Sequence, residues 1–140
     1  MLEGQRDACA PTRAVPIFAV DVTNDPDPIQ FYDGWLLPTG RPLSIPETLE
    51  FWRRQHGCTG EEREMLLHRV AGDPTRILLI RRTGCAIEDS VRLYRVNGGG
   101  HRVPSLTPSV DDDWTRRADR QNEDIKMIDA FWELAKGFSR

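Results

Sequence analysis

Two residues of this 140-residue chain have the types and settings from which proton-transfer chemistry is built. Asp25 sits in Thr23-Asn24-Asp25-Pro26, and His101 closes the run Asn97-Gly98-Gly99-Gly100-His101. An aspartate that accepts from one imidazole nitrogen fixes the tautomer and leaves the other nitrogen to act as a base. The glycines let the backbone ahead of His101 turn sharply and aim the ring. The spacing alone equally allows an ordinary solvent-exposed histidine in a loop beside a turn.

The elements that must position this pair are legible as apolar patterns. Residues 15–20 (Val-Pro-Ile-Phe-Ala-Val) form a continuous apolar run, as expected of a strand covered on both faces in a parallel sheet. The run stops at Asp21, where two prolines and three aspartates within eight residues exclude further strand or a helix start. A long loop with Tyr32, Asp33, Gly34 and Trp35 leads to about residue 43. Ser44-Ile45-Pro46-Glu47 has the form of a capping box with proline in the first turn, and the spacing predicts a helix over 45–56 ended by Gly57. A short second helix is expected over 61–70, stopped by Gly72-Asp73-Pro74. Residues 77–82 and 91–96 read as strands, the latter covered on both faces. Ile125, Ile128, Phe131, Trp132, Ala135 and Phe138 recur at three- and four-residue steps and mark a terminal amphipathic helix. Residues 1–14 read as a lead-in without structure of their own. The alternation defines one α/β domain with an at least partly parallel sheet. It places Asp25 and His101 beyond the carboxyl ends of two strands on one edge, where open α/β sheets bind ligands.

Composition narrows the classes. Lys plus Arg is 19 against 22 for Asp plus Glu, a net charge of −3 that gives no electrostatic case for nucleic acid. No apolar run nears the roughly 20 residues that span a bilayer, and the chain as given shows no signal-peptide core. Three cysteines, Cys9, Cys58 and Cys85, are too few and too dispersed for a zinc site; one bridge with one free thiol and three free thiols are both allowed. The three glycines lack the Lys-Ser/Thr and following helix of a phosphate cradle, and Asp111-Asp112-Asp113 with Asp119 lacks the spacing of a calcium loop. No metal or cofactor is expected. His56 and His68 read as surface positions, Trp52 and Trp132 as core, and Trp35 and Trp114 as loop residues.

The strand Val91-Arg92-Leu93-Tyr94-Arg95-Val96 running into Asn97-Gly98-Gly99-Gly100-His101 resembles the C-terminal motif of an α/β-hydrolase family, the polyhydroxybutyrate depolymerase and feruloyl- and acetylxylan-esterase-like proteins. Other pieces follow in that family's order. Arg13-Ala14-Val15-Pro16-Ile17 resembles the strand before its acid. Thr23-Asn24-Asp25-Pro26 resembles the end of its His-Gly-Thr-x-Asp-Pro loop, and Tyr32-Asp33-Gly34 its Pro-Tyr-Asp-Gly. Glu47 through Trp52 to His56-Gly57-Cys58 resembles its helix ending in Asn-Gly-Cys. The likeness runs from about Cys9 to Phe138. It implies the C-terminal part of a hydrolase sheet, with Asp25 as triad acid, His101 as triad base and a Cys58–Cys85 disulfide; Tyr32 and Trp35 are the candidates to line a substrate, with surface packing the other use of Trp35.

The chain departs from the pattern in three ways. Asp21-Val22 replaces the family's His-Gly, and Arg102-Val103-Pro104 replaces Trp-Pro-Gly after the histidine. No Gly-x-Ser-x-Gly elbow surrounds Ser44, Ser90, Ser105, Ser109 or Ser139. The expectation is therefore an acid-and-base portion that is inactive alone, whose open sheet edge takes a complementary N-terminal half or a second copy. The alternatives are a non-catalytic interaction module with this fold, or catalysis by an unrecognised nucleophile such as Ser90 or Ser105. The resemblance implies an extracellular protein; the chain as given, lacking an export signal, would stay in the cytoplasm.

Overall fold

Apolar strands that bury side chains on both sides need a helix on each face, and this chain supplies both. In the computed structural model, which describes residues 1–25, 32–33, 40–107 and 120–138, the elements are α1 (Glu3–Ala8), β1 (Ile17–Val22), α2 (Ile45–Gln55), β2 (Gly60–Met65), β3 (Arg76–Thr83), β4 (Val91–Asn97) and α3 (Met127–Lys136). The strands form one mixed sheet in the order β1-β4-β3-β2. β1 runs parallel to β4, from Ile17 opposite Val91 to Val22 opposite Val96, and the other two pairings are antiparallel. Among the described residues, β1 is an edge strand paired to β4.

Side chains alternate across the pleat and build two cores. Ile17 and Ala19 pack with Val91, Leu93 and Ile80 against Leu49 and Trp52 of α2. Phe18, Val20 and Val22 pack with Tyr94, Val96, Ile77 and Leu79 against Met127 and Ala130 of α3. Phe18 also meets the rings of Tyr94 at 5.1 Å and Phe131 at 5.4 Å. The general α/β architecture expected from the alternation is therefore present. No helix among the described residues is long and apolar enough to cross a membrane.

The capping box forms as read: Ser44 Oγ accepts from the Glu47 amide and Glu47 accepts from the Ser44 amide at 2.8 Å. The expected bridge is also present, Cys58 to Cys85, joining the end of α2 to the β3–β4 connection, while Cys9 is free.

Several expectations are corrected. The first residues are not a bare lead-in: α1 is held from outside, by backbone bonds of Glu3 to Arg41 and Leu43 to Met1, and by Arg41 bridging Glu3 and Glu47. Such distant partners leave no local periodicity. Residues 60–65 form strand β2, not a helix. Its Gly-Glu-Glu-Arg-Glu-Met sequence lacks an apolar face because it is an exposed edge strand, matched to β3 by charge: Glu61 pairs with Arg82, and Glu62 and Glu64 with Arg81. β1 extends through Asp21 and Val22, two residues beyond its expected end. Trp52 packs on the core, but Trp132 is 61% exposed, because α3 turns Met127 and Leu134 inward instead.

His56 is buried, contrary to its expected surface position. Its Nδ1 lies 2.7 Å from Ser90 Oγ, and its carbonyl accepts from the Ala86 amide, so it ties the end of α2 to the base of β4. Nε2 completes no hydrogen bond. Burial lowers the ring's pKa, opposed by the neighbouring Val15 carbonyl.

Two outcomes follow from this corner. The disulfide spans 27 residues, so its reduction is expected to cost about 3.5 kcal/mol, read as a lower urea midpoint under reducing conditions. Because the native His56 pKa lies below the ordinary 6.5, the unfolded chain takes up that proton first. The contribution of neutral His56 is complete above pH 6.5 and shrinks as pH falls through that value toward the depressed native pKa. His56→Gln should remove this component, seen as a smaller loss of stability between pH 7.5 and pH 5 than in the unaltered chain.

Candidate functional site

Parallel strands deliver their carboxyl ends to one edge, and the site stands there. β1 ends at Val22 and Asp25 follows three residues on; β4 ends at Asn97 and His101 follows four residues on. The two connections are stitched together. Thr23 N donates to Val96 O, Asn24 N to Gly99 O, and Gly98 N to Thr23 Oγ1 at 2.8 Å. Gly98 has φ +73°, a conformation that favours glycine. A Cβ at Gly99 would fall 2.6 Å from Val96 Cγ1, so this glycine admits the close approach of the loop to the strand ends.

The result is direct contact across 76 residues of sequence. His101 Nδ1 donates to Asp25, 2.7 Å from Oδ2 and 2.9 Å from Oδ1. The carboxylate can only accept, so Nδ1 carries the proton and the ring is oriented with Nε2 as its basic nitrogen. The Asp25 side chain is 3% exposed and that of His101 24%. This is the arrangement of a buried orienting acid behind a more accessible base.

Beneath the pair, on the α2 face, Asp21 of β1 stands in register beside Arg95 of β4. Burial pushes the Asp21 carboxyl up to about 6; the Val22 amide pulls it down, the charge of Asp25 raises it, and the chain's amino terminus lowers it. Asp21 therefore sits where it feels Asp25, a feature the sequence marked only as a departure in the loop. Tyr32 packs, partly buried, on the α2-side core with Arg95 5.8 Å over its ring. Trp35, Trp114, Ser109, Ser139 and the acidic run 111–113 with Asp119 lie outside the described residues.

Ser90 does not join the site. It is fully buried beside His56 at the start of β4, the opposite end of the strand from His101. Ser105 lies in the loop after His101, its amide bonded to Asn122 O and its Oγ accepting from the Thr107 amide.

A second histidine–aspartate contact escaped the sequence reading, which treated His68 as a surface residue. His68 Nδ1 donates to the buried Asp124 at 3.0 Å, and Asp73 lies close enough that one donor atom from each of the three falls within 4.8 Å of the others. Every carboxylate oxygen there already accepts: Asp73 from the Thr75 amide, the Thr75 hydroxyl, Asn122 and the Glu123 amide, and Asp124 from the Arg69 amide, His68 and Asn122. This group acts as a hydrogen-bonded hub.

Fold and site thus define a mixed α/β sheet with an Asp–His pair at the carboxyl edge of two adjacent parallel strands. No family model, curated protein or solved structure matches the chain.

Asp21 carries a pH signature. Its native pKa is raised from 3.8 to about 6, so its stabilising contribution belongs to the protonated form, complete below pH 3.8 and lost as pH rises through about 6. Above that, ionised Asp21 opposes folding. Asp21→Asn should stabilise the chain at pH 8 by about 1 kcal/mol after solvent screening, with no gain at pH 4, measured by urea denaturation at both values.

Proposed function

We propose that this chain supplies the acid and base of a serine carboxylic-ester hydrolase acting on polyester, acetyl or feruloyl esters, as the C-terminal portion of an α/β-hydrolase sheet. One observation carries the reading: Asp25 and His101 are in hydrogen-bond contact beyond the carboxyl ends of adjacent parallel strands, in the order acid then base. The ordered resemblance of the Asp25 loop, the α2 end and the Gly-Gly-Gly-His run supplies the substrate class.

The chemistry is acyl transfer. As a serine oxygen bonds to the ester carbonyl carbon, its proton passes to His101 Nε2, while Asp25 holds Nδ1–H and stabilises the imidazolium. Nε2 then returns the proton to the alcohol as the carbon–oxygen bond breaks. Water repeats the cycle and releases the acid. The serine and its oxyanion donors come from a complementary segment that adds beside β1, whose outer edge has no strand among the described residues. Export to an oxidising compartment fits the Cys58–Cys85 bridge.

A second reading, an interaction module without catalysis, is favoured by that same open edge. Reconstitution separates the two. The chain is co-expressed with a Gly-x-Ser-x-Gly-bearing N-terminal half of the esterase family and assayed on short-chain aryl esters. His101→Ala and Asp25→Asn should each cost about three to four powers of ten in kcat with the complex intact. A complex that forms and remains inert, or one indifferent to His101→Ala, would favour the module.

A further inference from the structure

Among the described residues, the loop that carries His101 is bonded on two sides. One is the β1 connection already described. The other is the segment 120–127 before and into α3. Gly100 N donates to Arg120 O at 3.1 Å, Ser105 N to Asn122 O at 3.0 Å, Met127 N to Pro104 O at 3.2 Å, and Gln121 Nε2 to Val103 O at 2.8 Å. Residues on both sides of His101 are therefore clamped by this segment.

The segment is fixed by Glu123 and Asp124, which bond Asp73, Arg69 and His68, and at its centre by the Asn122 side chain. Asn122 is fully buried, and its amide is plugged into the β2–β3 connection. Nδ2 donates to Thr75 Oγ1 at 2.9 Å and Asp124 Oδ2 at 3.0 Å, with Asp73 Oδ2 at 3.4 Å, and Oδ1 accepts from the Asp124 amide at 3.1 Å. The amide orientation is dictated, because its oxygen cannot face carboxylates that only accept. Thr75 in turn donates its hydroxyl to Asp73 Oδ1 at 2.7 Å, so the bonds run in one direction and polarise one another. The sides of this hub are three separate pieces of chain, around His68, around Asp73 and Thr75, and around Asn122 and Asp124.

We infer that Asn122 is a positioning residue for His101: its buried amide anchors the outer wall of the histidine loop to the β2–β3 connection and so holds the imidazole on Asp25. The inference rests on the reading of Asp25 and His101 as the acid–base pair, and adds a residue that touches neither. Asn122 acts only through its backbone carbonyl and its neighbours Arg120 and Gln121, which bond the loop at Ser105, Gly100 and Val103.

The test follows the His101 Nδ1 proton by NMR in the full chain, with isotope-labelled histidine. In the unaltered protein this proton, held by Asp25, is expected to exchange slowly with water. Asn122→Ala should speed that exchange by roughly tenfold or more, while amide protection in β1 and β4 stays unchanged. Thr75→Val removes an acceptor of the Asn122 amide without touching the histidine loop. It should give a smaller effect in the same direction, and it stands in if Asn122→Ala does not fold. An unchanged Nδ1 proton in either folded variant overturns the inference. So does equal loss of protection throughout β1 and β4, which would mark a merely structural role. Reconstituted activity is scored separately: Asn122 variants that free His101 in a chain giving no active complex would leave the positioning role standing and remove the hydrolase reading.

Discussion

Parallel pairing of β1 with β4, with Val22 opposite Val96, carries two distant chain segments past the same edge of the sheet, and the remaining geometry follows from that register. A slip of one residue would turn Phe18, Val20 and Val22 from the α3 side to the α2 side and exchange the two cores. It would also move Asp25 by about 3.3 Å along the strand, farther than a hydrogen bond tolerates. The same apolar alternation that fixes the register for packing reasons therefore fixes the acid against the base. Gly99 tightens the arrangement, because only a residue without a side chain lets the loop lie against Val96 and Val22.

Support for the site is distributed unevenly around it. The acid side is covalent continuation: Asp25 leaves a strand and is buried almost at once. The base side needs a scaffold, since His101 stands in a glycine-rich turn with little rigidity of its own. That scaffold is polar and buried, assembled from Asp73, Thr75, Asn122 and Asp124, with His68 at its rim. A fully satisfied polar network of this kind specifies one arrangement more sharply than apolar packing, which tolerates sliding. Below, burial disfavours the ionised form of Asp21 and the charge of Asp25 adds to that cost, which folding elsewhere offsets.

Much of this was legible in the residues. β1, β3 and β4, α2 with its capping box, and the shared edge of Asp25 and His101 all follow from period, caps and glycine placement, signals that live within a few residues. What escaped depends on contacts far apart in sequence. α1 exists because Arg41 and Leu43 hold it, β2 because Arg81 and Arg82 face its glutamates, and His56 is buried where Ser90, Ala86 and Trp52 meet it. The Asn122 hub is the clearest case. Asp73, Thr75, Asn122 and Asp124 look like ordinary turn residues, and only the tertiary fold shows that two of them, Thr75 and Asn122, are wholly enclosed. On α3 the apolar stripe was read one step around the helix from where Met127 and Leu134 bury, because Phe131 and Trp132 dominate any hydropathy pattern.

The separation of the paired residues also orders events in time. β2, β3 and β4 are joined by short connections and meet as successive neighbours, whereas β1 must find β4 across more than seventy intervening residues, as Ile17 opposite Val91 shows. Closing so long a loop is entropically the dearer step, so topology places the docking of β1 after the hairpins and after the local corner that Cys58 and Cys85 lock. A molecule in which β1 is not docked on β4 lacks the Asp25–His101 contact, so any chemistry at this edge reports on that completed pairing.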